Sequence, residues 1–311
     1  TLLLAFLVCV TRSAVDRAWL PELGVRWSFG VDDIAIPLVL LTAVIGVLVV
    51  AHSWVDLPAG GSPAAFLGCL LLVEAGALAT FTARDAVLFF VAFELVLVPM
   101  WVLISRYGDR HDLAARVDAG HRFVLYTAVG STLMLVGILA LVTSAGTSSL
   151  PDLATGAGNA LSADRQLLVA GLLVAGLAVK VPVFPLHTWL PPAHTTAPTA
   201  GSVLLAAVLL KMGTYGLVRL PVASVPDGFA RLAPVLAVLG VVGILWGGLV
   251  CLVERDLKRL IAYSSVAHMG FVVLALAAGS ETGLQAALFA NIAHGVISAL
   301  LFFLVGGLKQ R

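Results

Sequence analysis

The sequence predicts an all-α polytopic membrane protein: about nine spanning helices plus a partial one, with one helix broken by prolines near 180–199. Three observations carry this. Of the 311 residues, 60% are hydrophobic and 11% are charged, against about 25% charged in soluble domains. The apolar residues come in runs of about 20, the length needed to cross a hydrocarbon core of about 30 Å. No strand-like alternation competes with these runs, and in lipid only helices or closed barrels satisfy the backbone.

Read in that unit, the segments fall at 33–52, 64–82, 86–105, 120–143, 165–182, 200–220, 232–252, 258–279 and 283–308. The run before them, LLLAFLVCV, is too short to span. It lacks a basic leader and a small-residue cleavage site, so it does not read as a signal peptide. The stretch from there to residue 30 is read as extended. The chain begins at Thr1 and the last helix stops at Lys309-Gln310-Arg311. Residues 1–311 are therefore expected to be one membrane domain, truncated at both ends from a longer chain.

Segment 182–199, PVFPLHTWLPPAHTTAPT, has prolines at 182, 185, 191, 192 and 198. Each interior proline removes a helix hydrogen bond and clashes with the preceding turn. One reading is a helix ending near Lys180, an unwound stretch, then a short second piece lining a polar path. The other is a re-entrant or extramembrane loop with Trp189 as an interface anchor. Spacing leaves both open.

Loop charges set an orientation. Alternating the helices puts Arg106, Arg110, Arg116, Arg122, Arg255, Lys258, Arg259, Lys309 and Arg311 on one side. The other side receives Arg12, Arg17, Arg26, Arg84, Arg165, Arg219 and Arg231. The first side is the richer and belongs in the cytoplasm by the positive-inside rule, so loop 144–164 faces outward. A net charge of +1 gives no sign of a nucleic-acid partner; the partner this composition demands is the lipid bilayer. Cys9, Cys69 and Cys251 stand far apart among aliphatic residues and read as small apolar fillers.

The chemistry lies in charges placed where they are costly. Glu94, Lys180, Lys211, His268 and His294 each sit inside an apolar stretch. A charge at the bilayer centre costs at least about 2.5–3.5 kcal/mol on insertion scales and is seldom kept for stability. At about 1.5 Å per residue, Glu94 lies ten residues beyond Arg84, Lys180 fifteen beyond Arg165 and Lys211 eight before Arg219. His268 lies ten after Lys258 and His294 thirteen after Glu281. All five are at mid-depth, where they can form a line parallel to the membrane plane.

Such a line can pass protons. Desolvation disfavours the charged form of both a carboxylate and an ammonium, and bringing the two together restores both. A Glu94–Lys180 pair is therefore expected to be bistable: joined, both stay charged; separated, the lysine can release its proton. Histidine changes charge near neutral pH with little perturbation. The plainer alternatives are snorkelling lysines, a protonated or backbone-bonded Glu94, and packing roles for His268 and His294. His187 and His194 read as loop or helix-end polar groups. Glu74 also lies within an apolar run, without an identified partner.

These residues resemble a known family. KVPVFPLHTWLPPAHTTAPTAGSVLLAAVLLKMGTYGLVRL (180–220) and DLKRLIAYSSVAHMGFVVLAL (256–276) are similar to the M subunit, or chain 4, of proton-translocating NADH–quinone oxidoreductase, respiratory complex I. FFVAFELVLVPMWVLISRYG (89–108) and IAHGVISALLFFLVGGLKQR (292–311) support the likeness, which covers 85–311. It implies an antiporter-like fold with two inverted helix repeats, each holding a broken helix. In that likeness Glu94 takes the place of the glutamate on the family's fifth helix. Lys180 corresponds to the lysine before its first helix break and Lys211 to the bridging lysine of its eighth helix. His268 and His294 correspond to the polar axis leading to the second repeat. The first helix, most of the second and everything after the eleventh are then lacking, so one half-channel and the connecting residues remain.

The function this resemblance implies is proton translocation by a membrane-arm subunit through Glu94, Lys180, Lys211, His268 and His294, coupled to quinone reduction in other subunits. Its partners would be L-type and N-type antiporter-like neighbours. NADH, FMN, iron–sulfur clusters and quinone are implied to work elsewhere. The chain has neither a glycine-rich phosphate loop after a strand nor a cysteine cluster, and no cofactor or metal is expected in it. A D-type subunit of a multisubunit cation–proton antiporter shares the lysines and is the alternative, although FELVLVPMW, SSVAHMGF and HTWLPPAH favour the respiratory enzyme. Fourteen arginines against four lysines fit a GC-rich bacterial genome, and so a bacterial cell (inner) membrane.

Overall fold

The computed structural model describes residues 1–58, 61–109 and 112–309. The chain opens with a short apolar helix, α1 (Leu2–Thr11), and an antiparallel hairpin of β1 (Val15–Leu20) and β2 (Val25–Phe29). The bundle follows: α2 (Ala35–Ser53), α3 (Pro63–Thr82), α4 (Ala86–Tyr107), α5 (Leu113–Ala145), α6 (Ala163–Lys180) and the short α7 (Leu190–Thr196). It closes with α8 (Thr199–Val222), α9 (Pro226–Val253), α10 (Leu257–Ala277) and α11 (Glu281–Lys309). Among the described residues, eight of these helices are long and apolar enough to cross a membrane. The ninth expected span, α6, is 18 residues long but carries Asp164, Arg165 and Lys180.

Every segment end read from hydropathy falls within two residues of a helix end, except at the starts of α5 and α9. Those two helices begin seven and six residues earlier than expected, because their first turns are polar. Asp112 caps α5 by accepting from Ala115 N at 2.8 Å, and an Arg122–Asp118 pair at 2.7 Å braces its polar turns. α9 starts on Pro226 with Asp227 in the first turn, where proline and an acid suit the orphan N–H groups and the helix dipole. The hairpin adds strands to a stretch read only as extended.

The helix ends sort as alternation requires. At one end Phe29 bridges Ala83, Asp85 bridges Ser149, and Arg219 pairs with Asp32. Burial works against the Asp32 carboxylate, but the Arg219 hydrogen bond and charge outweigh it and hold the carboxyl below the usual range. The fully buried Asp85 knots this end. It accepts from Val87 N and Leu88 N, capping α4, and also from Ser148 Oγ at 2.5 Å and Arg26 N at 3.1 Å. At the opposite end Tyr107 Oη donates to Ser62 O and Asp109 N to Thr196 O. Of the charges that orient the chain, Arg110, Arg311 and the side chain of Lys309 lie outside the described residues. Lys258, in the first turn of α10, is turned inward, where it is buried and donates to Ala197 O at 2.7 Å.

α8 is the axis of the bundle. Of its 18-residue apolar window 94% is buried, against 22% for α9, which faces outward. Lipid tails are as apolar as leucine, so helices in a membrane associate through close packing of small residues. α5 meets α6 at such a contact. A Cβ at Gly130 would stand 2.9 Å from Gly176 O, and one at Gly176 would stand 2.5 Å from Gly130 O. Gly130→Leu is expected to cost on the order of 1–3 kcal/mol through overpacking and to lower the Tm of the purified protein. Gly171→Leu, on α6 but with open space around it, should leave the Tm where it is.

Candidate functional site

The helix break is built inside the protein. α6 ends at Lys180; Val181 N donates to Leu177 O at 3.0 Å and Val183 N to Ala178 O at 2.9 Å. The Val179 carbonyl, freed by the break, accepts from Trp189 Nε1 at 2.9 Å. Trp189 is fully buried, its ring 5.6 Å from that of Phe123. The extramembrane-loop reading with Trp189 as an interface anchor is thereby corrected. Non-helical backbone at this depth needs internal partners, and this indole is one of them.

Lys180 is buried at the end of α6. Its Nζ lies 5.0 Å from the centroid of Phe93 and 5.8 Å from that of Phe123, within cation–π range. Glu94, half-buried on α4, accepts from Ser131 Oγ of α5 at 2.5 Å. The ion pairs among the described residues do not include Glu94 with Lys180. The structure thus holds the pair separated, each member with a different partner.

Lys211 sits mid-helix on α8 and is fully buried. Its Nζ donates to Ala206 O at 2.8 Å and lies 2.5 Å from His294 Nδ1 of α11. A π-turn at Leu205–Leu209 precedes it; such turns recur at functional sites. The helices can meet here because residue 295 is glycine, whose Cβ would otherwise stand 3.2 Å from Ala207 O and 3.3 Å from Lys211 Cε. One proton can sit on either side of the Lys211–His294 bond, as ammonium to imidazole or imidazolium to amine. Lys180 reaches the same helix from the other side: a Cβ at Gly213 would be 3.0 Å from Lys180 Cβ.

His268 lies next to His294. Its ring centroid is 5.6 Å from that of His294, yet it is exposed on the flank of the bundle. α10 turns Ser265, Val266, Met269 and Val273 into the core, and His268 falls one step outside that face. His194 is a helix-end residue, in the last turn of α7, as the sequence predicts. It is fully buried on α7, stacked on Phe302 at 4.5 Å and 14°, with both ring nitrogens unpartnered among the described residues. His187 lies in the broken stretch, buried and stacked on Phe184 at 5.4 Å.

Sequence reasoning missed Ser131 and Asn291. Asn291, on α11 one turn before His294, donates to Thr214 Oγ1 at 2.5 Å, and Thr214 donates to Lys211 O at 3.0 Å. Its spacing of three from His294 was the signal available, since residues three apart share a helix face. Glu74 is buried on α3, with its carboxylate laid against Gly46 of α2.

A family model described as NADH:quinone oxidoreductase/Mrp antiporter, TM matches residues 83–311. A Microcystis aeruginosa protein (strain NIES-843 / IAM M-2473) named NAD(P)H-quinone oxidoreductase chain 4 1 is 43% identical over 294 residues, 94% of this chain and 54% of its own. The chain therefore spans about half the length of the curated relatives it matches. A chain of respiratory complex I from Thermus thermophilus with bound NADH superposes with a TM-score of 0.89 at 32% identity, covering 100% of this chain and 65% of that one. A chain of the Mrp complex from Dietzia sp. DQ12-45-1b gives 0.88 at 27% identity, covering 99% and 34%. The resemblance read from residues 85–311 and the antiporter-like helical bundle both hold. A multi-pass membrane chain matched by the family model over residues 83–311, this protein belongs to the NADH:quinone oxidoreductase/Mrp antiporter transmembrane family.

Proposed function

We propose that this chain forms part of a proton-translocating subunit in the membrane arm of a bacterial NADH:quinone oxidoreductase. Protons move along Glu94, Lys180, Lys211, His294 and His268, driven by quinone reduction in other subunits. The observation that carries the reading is the 2.5 Å Lys211–His294 contact on the buried axis of the bundle. A lysine with no exposure is expensive to keep, and here it shares a proton with a histidine that leads to a second histidine. The buried His194 joins this set from the broken helix. NADH, FMN, iron–sulfur clusters and quinone act in partner subunits, with L-type and N-type antiporter-like subunits as membrane neighbours. The bacterial inner membrane is the location.

The near-equal structural likeness to the Mrp complex favours a second reading, a cation–proton antiporter subunit without redox coupling. Proton uptake into vesicles carrying the assembled complex separates the two. NADH-driven uptake that falls about tenfold or more in Glu94→Gln supports the first, since a positioned proton-transfer group contributes roughly 10²–10⁴-fold. Uptake indifferent to NADH and dependent on a sodium gradient would establish the second.

A further inference from the structure

We infer that Ser131 is a positioning residue that latches Glu94 away from Lys180. This rests on the reading of Glu94 and Lys180 as members of the proton path. The first support is a departure from a local rule. Hydroxyls on apolar helices usually return their hydrogen to the carbonyl four residues earlier. On α5, Thr127 donates to Phe123 O, Thr132 to Ala128 O and Thr143 to Leu139 O. Ser131, buried on the same helix, instead donates across the interface to Glu94 Oε1.

The second support is that each separated charge has a prepared substitute. The carboxylate has the Ser131 hydroxyl and the ammonium has the faces of Phe93 and Phe123. A bare carboxylate in a low-dielectric interior is costly unless hydrogen-bonded, and a desolvated ammonium gains from an aromatic face. With both substitutes in place, the separated state becomes a defined arrangement that can exchange with the joined pair.

The third support is mechanical. Ser131 follows Gly130 on α5, and Lys180 lies one turn after Gly176 on α6; these two glycines form the close crossing. Hydroxyl and ammonium therefore sit on elements locked together. Glu94 sits on a loosened one. Pro99 has no N–H to offer Leu95 O, and the regular helix of α4 is interrupted at Val96, between Ala86–Leu95 and Leu97–Tyr107. A proline four residues on removes the hydrogen bond of that turn, freeing Glu94 to move between Ser131 and Lys180.

The test uses the assembled complex in membranes, with two independent readouts: NADH-driven proton uptake, and the infrared carboxylate band that disappears in Glu94→Gln. Ser131→Ala should shift that band and lower uptake about 3–10-fold, while Ser131→Thr, which keeps the hydroxyl, should restore both. If Ser131→Ala fails to assemble, Ser131→Cys, a weaker donor, should shift the band in the same direction. A Glu94 band unmoved by loss of the hydroxyl overturns the latch, whatever uptake does. Uptake unaffected by Glu94→Gln overturns the path instead, and the band then still reports whether Ser131 holds Glu94.

Discussion

Lys180→Met in the assembled complex should lower NADH-driven proton uptake about tenfold or more, with assembly on a native gel as in wild type. The chemistry sets the size, since a positioned group that passes a proton contributes roughly 10²–10⁴-fold. The packing sets the specificity. Methionine is unbranched and polarisable and sits well against aromatic rings, so it can keep the contacts with Phe93 and Phe123. The hydrogen bonds that build the break, from Val181 N, Val183 N and Trp189 Nε1, do not use the lysine side chain. Loss of uptake without loss of assembly therefore isolates the proton-carrying role. Unchanged uptake in a normally assembled complex would leave Lys180 as a tolerated charge and remove the first step of the path.

What could be read without coordinates follows from cost. A charge inside twenty apolar residues has no cheap explanation, so Lys180, Lys211, Glu94 and His294 announced themselves. Five prolines in eighteen residues announced the break. Partners did not, because they are tertiary. Lys211 and His294 are 83 residues apart, and nothing in either stretch names the other. Ser131 was invisible because a serine on an apolar helix normally satisfies itself, and its departure from that habit exists only in three dimensions. His268 and Met269 differ by one position, about 100° around a helix of 3.6 residues per turn, which decides between core and flank. Apolar runs give depth but leave rotation loosely fixed. The burial of Lys258 and His194 was not legible for a related reason: both stand at helix ends, and only the fold turns the lysine inward and stacks the imidazole on Phe302.

Lys211→Met separates conduction from stability in a way Lys180→Met does not. Lys211 has no exposure and is bound at Nζ to Ala206 O and His294 Nδ1. Methionine fills the volume but leaves a carbonyl and a ring nitrogen buried without a donor, at about 1–3 kcal/mol each. A lower Tm is expected together with loss of proton uptake, measured per assembled complex so that the two effects are not confused. Adding His294→Leu removes one stranded acceptor. The double variant should then be less destabilised than the sum of the single ones, the non-additivity that marks residues in direct contact. A double variant whose destabilisation equals that sum would mean the 2.5 Å contact carries no coupling. Uptake at the wild-type level in Lys211→Met would show that protons cross by a route that avoids the bundle axis. In that case the separation of Glu94 from Lys180 would have to deliver its proton to one face of the membrane rather than along its plane.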